Sequence, residues 1–516
     1  MKSSAPPEVT APPGGGEPGP EKLDKSVWAT ASVVVLGAIM AILDVTVVNV
    51  AIPELTHEFK APLSQIQWIA TGYTLALATV IPVTGWACAR FGTKRLYMVS
   101  LLLFVIGSAL AGMAWSAESL IAFRVLQGLG GGMIMPAGMT ILTQKAGPTR
   151  VGQVMAVVGI PMLLGPITGP ILGGWLVDDV SWRWIFYINV PIGAIALFMA
   201  WKILERDTPQ PTEKLDLPGL VFLSPGLASL IYGLATGAEK GSFTSAPVLT
   251  TTVVGAVLVA AFVVRALRAA NPLIDLRLFR RRSVAAASLT MTLFAIAFFG
   301  SMLLLPLYFQ VVRGESALTT GLLLIPQGLG AMLTMPVGGK LTDRIGPGRV
   351  VLVGLLLIVV GTLGLTQIEA DTSYWLLGAE FFVMGLGMGA TMMPTMSAAL
   401  QTLGHDEVPR ASTALNIIQQ VGGSIGTAAI SVILTNEMTD RLPSTGGEGG
   451  GGGGIGEMLE LPPEVLAKLV PPMAASFAAT YWWALGLMAL AFLPALFLPR
   501  SRPATPSDQQ APIAMH

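Results

Sequence analysis

The segment LDVTVVNVAIP, residues 43–53, decides the fold class because it places a carboxylic acid, Asp44, inside an apolar helix. The apolar run from Val27 to Ile52 exceeds the roughly 20 residues that a helix needs to cross a bilayer. A carboxylate in hydrocarbon costs at least about 2.5–3.5 kcal/mol, and such acids are usually functional. We therefore expect Asp44 to bind and release a proton. The alternative is an acid held permanently by a hydrogen bond to a neighbouring helix.

The composition extends this pattern to the whole chain. Of 516 residues, 53% are hydrophobic and only 12% are charged, against an ordinary charged fraction of about 25%. Long apolar runs separated by short basic loops predict an all-α polytopic membrane protein. The net charge of zero does not indicate a nucleic-acid partner. The single cysteine, Cys88, excludes an intramolecular disulfide.

The apolar runs predict fourteen membrane spans. They lie at residues 28–52, 67–88, 95–115, 118–141, 152–177, 182–203, 217–237, 246–267, 284–311, 319–340, 349–368, 373–400, 409–435 and 474–499. An even number places both termini on one side of the membrane. On that side lie 23 of the 30 Lys and Arg residues. Because basic residues accumulate in cytoplasmic loops, both termini are predicted to be cytoplasmic.

Three motifs recur at a nearly constant offset. GWACARFGTKR at 85–95 returns as GKLTDRIGPGR at 339–349, GLGGG at 128–132 as GLGMG at 385–389, and GPITG at 165–169 as GGSIG at 422–426. Such an offset predicts a duplication into two parallel six-helix halves. The two spans between the halves are then an insert, which makes the architecture six plus two plus six.

This pattern divides the chain into predicted segments. They are a disordered cytoplasmic tail at 1–27, an N-terminal six-helix bundle at 28–203, two inserted helices at 204–268, a C-terminal six-helix bundle at 269–500 and a cytoplasmic tail at 501–516. The outer loop at 436–473 carries a glycine-rich tract, which predicts a flexible connector.

Two further charged residues lie well inside predicted spans, away from the ends. Arg124 opens RVLQGLGGG at 124–132, and Gln127 shares its helix face at i+3. An arginine keeps its charge in proteins, so Arg124 is predicted either to pair with Asp44 or to hold the bundle through backbone carbonyls. Glu380 is a second candidate for binding a proton or recognising a cation, with a structural role as the alternative.

The fifth span contains GPITGPILGG at 165–174, in which two residue types repeat every four positions. The glycines predict a small-residue stripe for close helix contact, and the prolines predict a bend. A bent helix of this kind between the halves could seal one vestibule. The residues are Gly165, Gly169 and Gly173, with Pro166 and Pro170.

The two repeated loop motifs predict tight turns at the cytoplasmic ends of the bundles. Opposite charges in the second motif favour a charge latch between the halves, and Ala89 replaces the equivalent acid in the first. The residues concerned are Gly85, Arg90 and Gly92 in the first motif, and Gly339, Asp343, Arg344 and Gly346 in the second.

A substrate cavity is predicted from a polar face on the thirteenth span and from methionines that follow the glycine motifs. Flexible thioethers suit an adaptable apolar pocket, although methionine also fills ordinary cores. The candidate cavity residues are Gln127, Met133, Met392, Asn416 and Gln420.

The sequence offers little support for an enzyme. It lacks the G-x-x-x-x-G-K phosphate loop, which argues against ATP as the energy source, and its three histidines are too scattered for a metal site. We therefore expect no catalytic activity, no cofactor and no bound metal.

These motifs together resemble the major facilitator superfamily, in particular its fourteen-helix drug:proton antiporter family. The resemblance covers residues 28–500 and includes WRWIFYINVPIG at 182–193, beside the motifs quoted above. It implies a multi-pass protein of the cell membrane that exports lipophilic, often cationic compounds against proton influx. Asp44 matches the acid of the family's first helix, and Arg124 matches the basic residue of its fourth.

Two other functions stay open from the sequence. One is a dedicated exporter of a single endogenous metabolite, siderophore or lipid, and the other is a membrane receptor or scaffold without transport. The expected partners are lipophilic small molecules, protons and membrane lipids, without nucleic acid or ATP.

Overall fold

The computed structural model describes residues 24–147, 150–206, 209, 214–239, 243–404, 406–441 and 463–500. Residues 1–23 of the predicted tail at 1–27, the predicted tail at 501–516 and residues 442–462 of the glycine-rich outer loop lie outside these ranges. Predictions about those segments stay predictions.

The described residues form helices and connecting turns without β-strands. A bilayer core provides no water for backbone N–H and C=O groups, and a helix satisfies them within its own segment. The α-helices are α1 Lys25–Phe59, α2 Leu63–Phe91, α3 Thr93–Gly112, α4 Ala117–Ala146, α5 Val151–Asp179, α6 Trp184–Tyr187, α7 Asn189–Ile203, α8 Leu217–Glu239, α9 Ala246–Arg268, α10 Arg282–Leu307, α11 Ala317–Leu323, α12 Ile325–Ile345, α13 Pro347–Leu365, α14 Tyr374–Leu400, α15 Val408–Arg441 and α16 Pro463–Ala495. A 3-10 helix, Leu276–Arg280, precedes α10, and a π-helical turn, Tyr308–Val312, follows it.

Thirteen segments of the described chain are long and apolar enough to cross a membrane. The predicted fifth span, 152–177, is not among the thirteen but coincides with α5, a helix of 29 residues. The all-helical multi-pass fold is therefore confirmed. The count of fourteen spans and the cytoplasmic position of the termini stay predictions.

The two repeated loop motifs adopt the same turn. Gly92 ends α2 with φ 90°, and Gly346 ends α12 with φ 87°. A side chain would strain this backbone conformation, which glycine adopts freely. The Gly92 amide donates to the Cys88 carbonyl at 2.9 Å, and the Gly346 amide donates to the Thr342 carbonyl at 3.0 Å. The next helix begins at the following residue in both places.

The repeated glycines of α4 and α14 make matching helix contacts. A Cβ at Gly128 would lie 2.5 Å from the Tyr73 carbonyl oxygen of α2, and a Cβ at Gly385 would overlap the Gln327 carbonyl of α12. Gly130 faces the backbone of α3, and Gly387 faces that of α13. The absence of a side chain lets the helix backbones approach each other closely. Helices α4 and α14 therefore occupy equivalent positions in two groups of helices, the N-terminal group α1–α7 and the C-terminal group α10–α16.

The two groups meet along two seams. One seam joins α5 to α12 and α14, and the other joins α15 to α2 and α4. The hairpin of α8 and α9 covers the second seam, because α8 packs on both α2 and α15. The Ser224 hydroxyl donates to the Thr79 carbonyl of α2 at 2.6 Å, and the Ser431 hydroxyl of α15 donates to the Ala238 carbonyl at 2.7 Å.

Candidate functional site

Asp44 lies in α1 with only 1% of its surface exposed. Its Oδ2 accepts a hydrogen bond from Arg124 Nη1 at 2.5 Å. Its Oδ1 accepts from Gln127 Nε2 at 2.7 Å and from Asn189 Nδ2 at 3.1 Å. Helices α1, α4 and α7 therefore converge on one carboxyl group. Paired charge and several donors are what a carboxylate needs to be buried at a tolerable cost.

Arg124 is the positive partner, and it is also 1% exposed. Its Nε donates to the Ile69 carbonyl of α2 at 3.3 Å, and its guanidinium carbon lies 4.1 Å from the centre of the Tyr73 ring. The aromatic face and the carbonyl hold the guanidinium in one orientation. Both roles that the sequence offers for Arg124, pairing with Asp44 and bonding to a backbone carbonyl, are present in this geometry.

Gln127 lies in the carboxylate cluster rather than on the wall of an open cavity. It is 0% exposed, its Nε2 donates to Asp44, and its Oε1 accepts from Arg124 Nη1 at 2.7 Å. Its position three residues after Arg124 places both side chains on one face of α4, as the spacing predicts.

Asn189 and Ser108 complete the cluster, although neither was singled out from the sequence. Asn189 Nδ2 also donates to Ser108 Oγ at 3.1 Å, and Ser108 Oγ donates to the Phe186 carbonyl at 2.9 Å. The one available signal was a carboxamide in the apolar run YINVPIG. Its register toward α1 depends on how α7 packs, which sequence spacing does not show.

This arrangement pairs a buried carboxyl group with a buried guanidinium group. Ionised Asp44 and Arg124 form a neutral pair, whereas protonation of Asp44 leaves the arginine charge buried and unpaired. Removing one partner of a buried ion pair costs about 3–5 kcal/mol. Because only 1% of Asp44 is exposed, water has almost no access to its carboxyl group in this conformation.

Glu380 lies apart from this cluster, on α14, with its carboxyl group directed at α13. A Cβ at Gly364 would overlap the Glu380 carboxyl oxygen Oε1. The other oxygen, Oε2, is buried without a hydrogen-bond partner among the described residues. Gly364 therefore makes room for an acid that has no counter-charge comparable to Arg124 in the described part of the chain.

A narrow cavity of about 10 Å³ lies between α10, α14 and α15, roughly the room that one water needs. Its lining residues are Met291, Phe294, Ala295, Phe299, Met392, Thr395 and Gln419. A drug-sized ligand requires about 300–1,000 Å³, so this cavity is closed to such a ligand in the present conformation.

The remaining candidate cavity residues have other surroundings. Met133 is packed in the core with 7% exposure. Asn416 is half-buried, and its Nδ2 donates to the Ser412 carbonyl at 2.8 Å. Gln420 is also half-buried, and its backbone carbonyl accepts a hydrogen bond from Ser424 Oγ at 3.0 Å.

Asp343 connects the two groups of helices. Its Oδ1 accepts from the Gly152 amide at 3.0 Å and its Oδ2 accepts from the Gln153 amide at 3.1 Å, both in the first turn of α5. The positive end of a helix dipole favours a carboxylate in this position. A Cβ at Gly339 would lie 2.7 Å from the Gly152 carbonyl oxygen, so the two helices touch directly.

The other seam lacks such a carboxylate, because Ala89 occupies the equivalent position. There Gly85 packs against backbone atoms of Pro409 and Arg410 at the start of α15. Arg90 lies in the last turn of α2, and Arg344 lies in the last turn of α12.

The glycine stripe of α5 faces α1 and not the opposite group of helices. A Cβ at Gly165 would overlap Ile42, and one at Gly169 would overlap Thr46. A Cβ at Gly173 would lie 3.2 Å from Val47. The stripe therefore contacts α1 both before and after Asp44 in the sequence of that helix. Pro166 and Pro170 belong to α5, but their side chains lie outside the described structure.

Among the described residues, no three His, Cys, Asp or Glu side chains form a group that could hold a metal ion. The contacts described above instead make a buried carboxyl group with a positively charged partner.

Comparison with known proteins places this geometry in a wider context. Residues 34–427 match the family described as Major Facilitator Superfamily. A "Multidrug resistance protein B homolog" of Mycobacterium tuberculosis (strain ATCC 25618 / H37Rv) is 43% identical over 507 residues, which cover 96% of this chain and 93% of that protein. "Multidrug export protein EmrB" of Escherichia coli (strain K12) is 32% identical over 403 residues, covering 78% of this chain and 79% of that protein.

The crystal structure of the human organic anion transporter MFSD10 superposes with a TM-score of 0.57 at 17% identity. The match covers 90% of this chain and 100% of that structure. At this identity the likeness shows the fold alone.

Proposed function

The chain belongs to the Major Facilitator Superfamily and is a multi-pass protein of the cell membrane, and we propose that it exports lipophilic small molecules in exchange for protons. The relatives named for multidrug resistance and multidrug export support efflux of diverse compounds. They also support transport, rather than catalysis, as the activity of this chain.

The buried cluster around Asp44 is the observation that carries the proposal of proton coupling. In an outward-facing state, water reaches Asp44 and delivers a proton to its carboxyl group. The guanidinium charge of Arg124 is then unpaired and repels a cationic substrate. In an inward-facing state, Asp44 releases the proton to the cytoplasm, and the neutral pair forms again. A bound substrate and a bound proton therefore disfavour each other, which is the requirement for exchange.

We propose the following architecture for this cycle. Six helices at 28–203 and six at 269–500 form two bundles that rock against each other, and the insert at 204–268 crosses the membrane twice. This makes fourteen spans with both termini in the cytoplasm. The matching turns at Gly92 and Gly346 support the duplication, and the distribution of Lys and Arg supports the orientation.

Glu380 is proposed as a second proton-binding group that is not required for coupling. It shares no hydrogen bond with the Asp44 cluster among the described residues, and it has no arginine partner there. Its protonation then changes how many protons move per substrate, but not whether proton and substrate movements are linked.

Proton flux in proteoliposomes tests the coupling. We expect Asp44→Asn to lower substrate-driven proton movement to the level of protein-free liposomes, because an amide cannot take up a proton. Glu380→Gln is the matched control, since it neutralises the other intramembrane acid, and it should retain substrate-driven flux. Full flux in Asp44→Asn, with reconstitution equal to wild type, would refute the assignment of Asp44.

A panel of chemically diverse compounds in the same assay tests substrate breadth. Multidrug export predicts proton movement with several unrelated lipophilic compounds. A response to one compound only would identify a dedicated exporter, and no response to any compound would favour a receptor or scaffold.

A further inference from the structure

An open cavity of about 440 Å³ lies between the start of α10 and the end of α16, and Asp44 is not part of its lining. Its lining combines cationic, polar and apolar side chains. The lining residues are Arg282, Ser283, Leu496, Phe497, Leu498, Pro499 and Arg500.

The two arginines of this cavity have no carboxylate partner among the described residues. The Arg282 guanidinium lies 5.0 Å from the centre of the Phe497 ring, and Arg500 Nη2 donates to the Leu496 carbonyl at 3.1 Å. Their neighbour Arg281, by contrast, is paired with Glu407 through bonds of 2.7 and 2.9 Å. Most guanidinium donors of Arg282 and Arg500 therefore remain available, and guanidinium groups bind phosphate oxygens well.

The wall of the cavity is held in place by the start of α13. The Gly348 amide donates to the Pro499 carbonyl at 2.8 Å, and a Cβ at Gly348 would lie 2.8 Å from the Leu498 carbonyl oxygen. Leu498 itself is 3% exposed. Contacts with the start of α13 therefore hold the segment 496–500 in place.

Apolar side chains continue from the cationic end along the outer surface. Leu490 and Leu493 of α16 are 45% and 57% exposed, Phe497 is 53% exposed, and Leu289 of α10 is 54% exposed. Leu490, Leu493 and Phe497 follow one another at spacings of three and four residues, Leu289 lies seven residues after Arg282 on α10, and the two helices pack against each other. We call this exposed apolar surface the groove of α10 and α16. A cationic pocket that continues into an exposed apolar groove matches an amphiphile with an anionic head and hydrocarbon chains.

We propose that this cavity binds the headgroup of an anionic phospholipid, with its phosphate between Arg282 and Arg500 and its acyl chains along the groove of α10 and α16. The position in the inner leaflet rests on the cytoplasmic orientation proposed above. Free inorganic phosphate would use the arginines alone and leave the apolar groove empty, so the structure favours the lipid.

Lipid binding to the purified full-length protein in neutral detergent tests this site. Native mass spectrometry would compare dioleoyl phosphatidylglycerol with dioleoyl phosphatidylcholine, which has the same chains without net charge. Because each arginine attracts the anionic headgroup, Arg282→Gln and Arg500→Gln should each weaken phosphatidylglycerol binding roughly fivefold, and the double variant roughly thirtyfold. Arg268→Gln at the end of α9 removes the same charge elsewhere and should leave binding unchanged.

Two further measurements distinguish a bound lipid from free phosphate held by the arginines alone. Leu493→Asn should weaken phosphatidylglycerol binding because it makes the groove polar, and millimolar inorganic phosphate should not displace the lipid. The proposal is overturned if the arginine variants bind phosphatidylglycerol as wild type does, if phosphatidylcholine binds equally well, or if inorganic phosphate displaces the lipid. Thermal unfolding in detergent verifies that each variant is folded, and the single variants suffice if the double variant does not fold.

The Asp44→Asn variant separates the test of lipid binding from the test of the proposed transport function. Asp44 lies outside the cavity, so this variant should bind phosphatidylglycerol as wild type does. A failure of the lipid proposal therefore leaves the flux result intact, and a failure of proton coupling leaves the lipid result intact.

Discussion

At the scale of single residues, the carboxyl group of Asp44 is held by donors with different chemical roles. Arg124 supplies a permanent charge, whereas Gln127 and Asn189 supply neutral amide donors. Protonation of Asp44 would remove the ion pair with Arg124. It would also weaken the charge-assisted bonds from Gln127 and Asn189, although a neutral carboxyl group can still accept hydrogen bonds from amides.

Substitution of Arg124 by lysine separates charge from geometry. Lysine keeps the positive charge but loses the planar fork, the Ile69 bond and the stacking on Tyr73. We expect Arg124→Lys to retain weak substrate-driven proton flux and Arg124→Ala to lose it, as measured in proteoliposomes. Wild-type flux in Arg124→Ala would show that the arginine is only structural.

Asn189 is expected to matter more than its neighbour Ser108. A hydrogen bond to a charged group contributes about 1.5–3 kcal/mol, and a neutral one about 0.5–1.5 kcal/mol. Asn189→Ala should therefore lower the free energy of unfolding more than Ser108→Ala, because Asn189 donates to the Asp44 carboxylate. Thermal unfolding in detergent measures both variants. The reverse order would mean that the carboxylate does not depend on α7.

At the scale of helices, α5 connects the Asp44 cluster to the opposite group of helices. Its glycine stripe packs on α1 around Asp44, and backbone amides of its first turn donate to Asp343 of α12. A movement of α5 therefore affects both places. Sequence periodicity predicted the stripe but placed it between the halves, because a four-residue repeat does not identify the helix that it faces.

Gly165→Ala tests the contact between α5 and α1. The added methyl group would overlap Ile42 Cγ2, and overpacking costs about 1–3 kcal/mol. We expect a lower unfolding temperature and slower transport. Gly174→Ala is the matched control, since a Cβ there meets nothing within 4 Å. Adding Ile42→Ala should restore part of the loss from Gly165→Ala, and purely additive effects of the two substitutions would exclude this contact as the cause.

Asp343→Asn tests the contact between α12 and α5. The amide loses the negative charge and can accept only one of the two backbone bonds, at a cost of about 1–2 kcal/mol. We expect the cytoplasmic ends of α5 and α12 to separate more often, by roughly tenfold in population. Distances between spin labels on the two ends, in a Cys88→Ala background, would measure this. Arg344→Gln in the same turn is the control, and an unchanged distance distribution in Asp343→Asn would contradict a latch.

At the scale of the whole molecule, the two groups of helices share the same glycine turns and glycine contacts but carry different ionisable residues. The repeat offset maps Asp44 onto residues 298–301 of α10, where the Phe298 ring lies 5.5 Å from that of Phe294. Glu380 faces α13 within its own group instead of crossing to Asp44. Proton coupling is therefore expected from the N-terminal group alone.

The proposed topology predicts which residues face the outside. Trp115 and Trp375 are 76% and 91% exposed, and they lie on either side of the insert in the chain. If the insert crosses the membrane twice, cysteines at both positions should react with an impermeant reagent added to intact cells, in a Cys88→Ala background. Arg344→Cys should react only after the membrane is opened. Labelling at position 115 but not at 375 would show that the insert crosses once.

The sequence by itself determined the helical membrane fold and the ionisable residues within the spans, and it predicted a duplication. These properties follow from apolar length, repeated glycine turns and the cost of charge in hydrocarbon, which are local or periodic in the chain. Only the tertiary structure decided that Asp44 meets Arg124, Gln127 and Asn189, that Glu380 faces α13, and that the glycines of α5 face α1. Those contacts depend on the rotation of each helix about its axis, which is set by packing between segments that are distant in sequence.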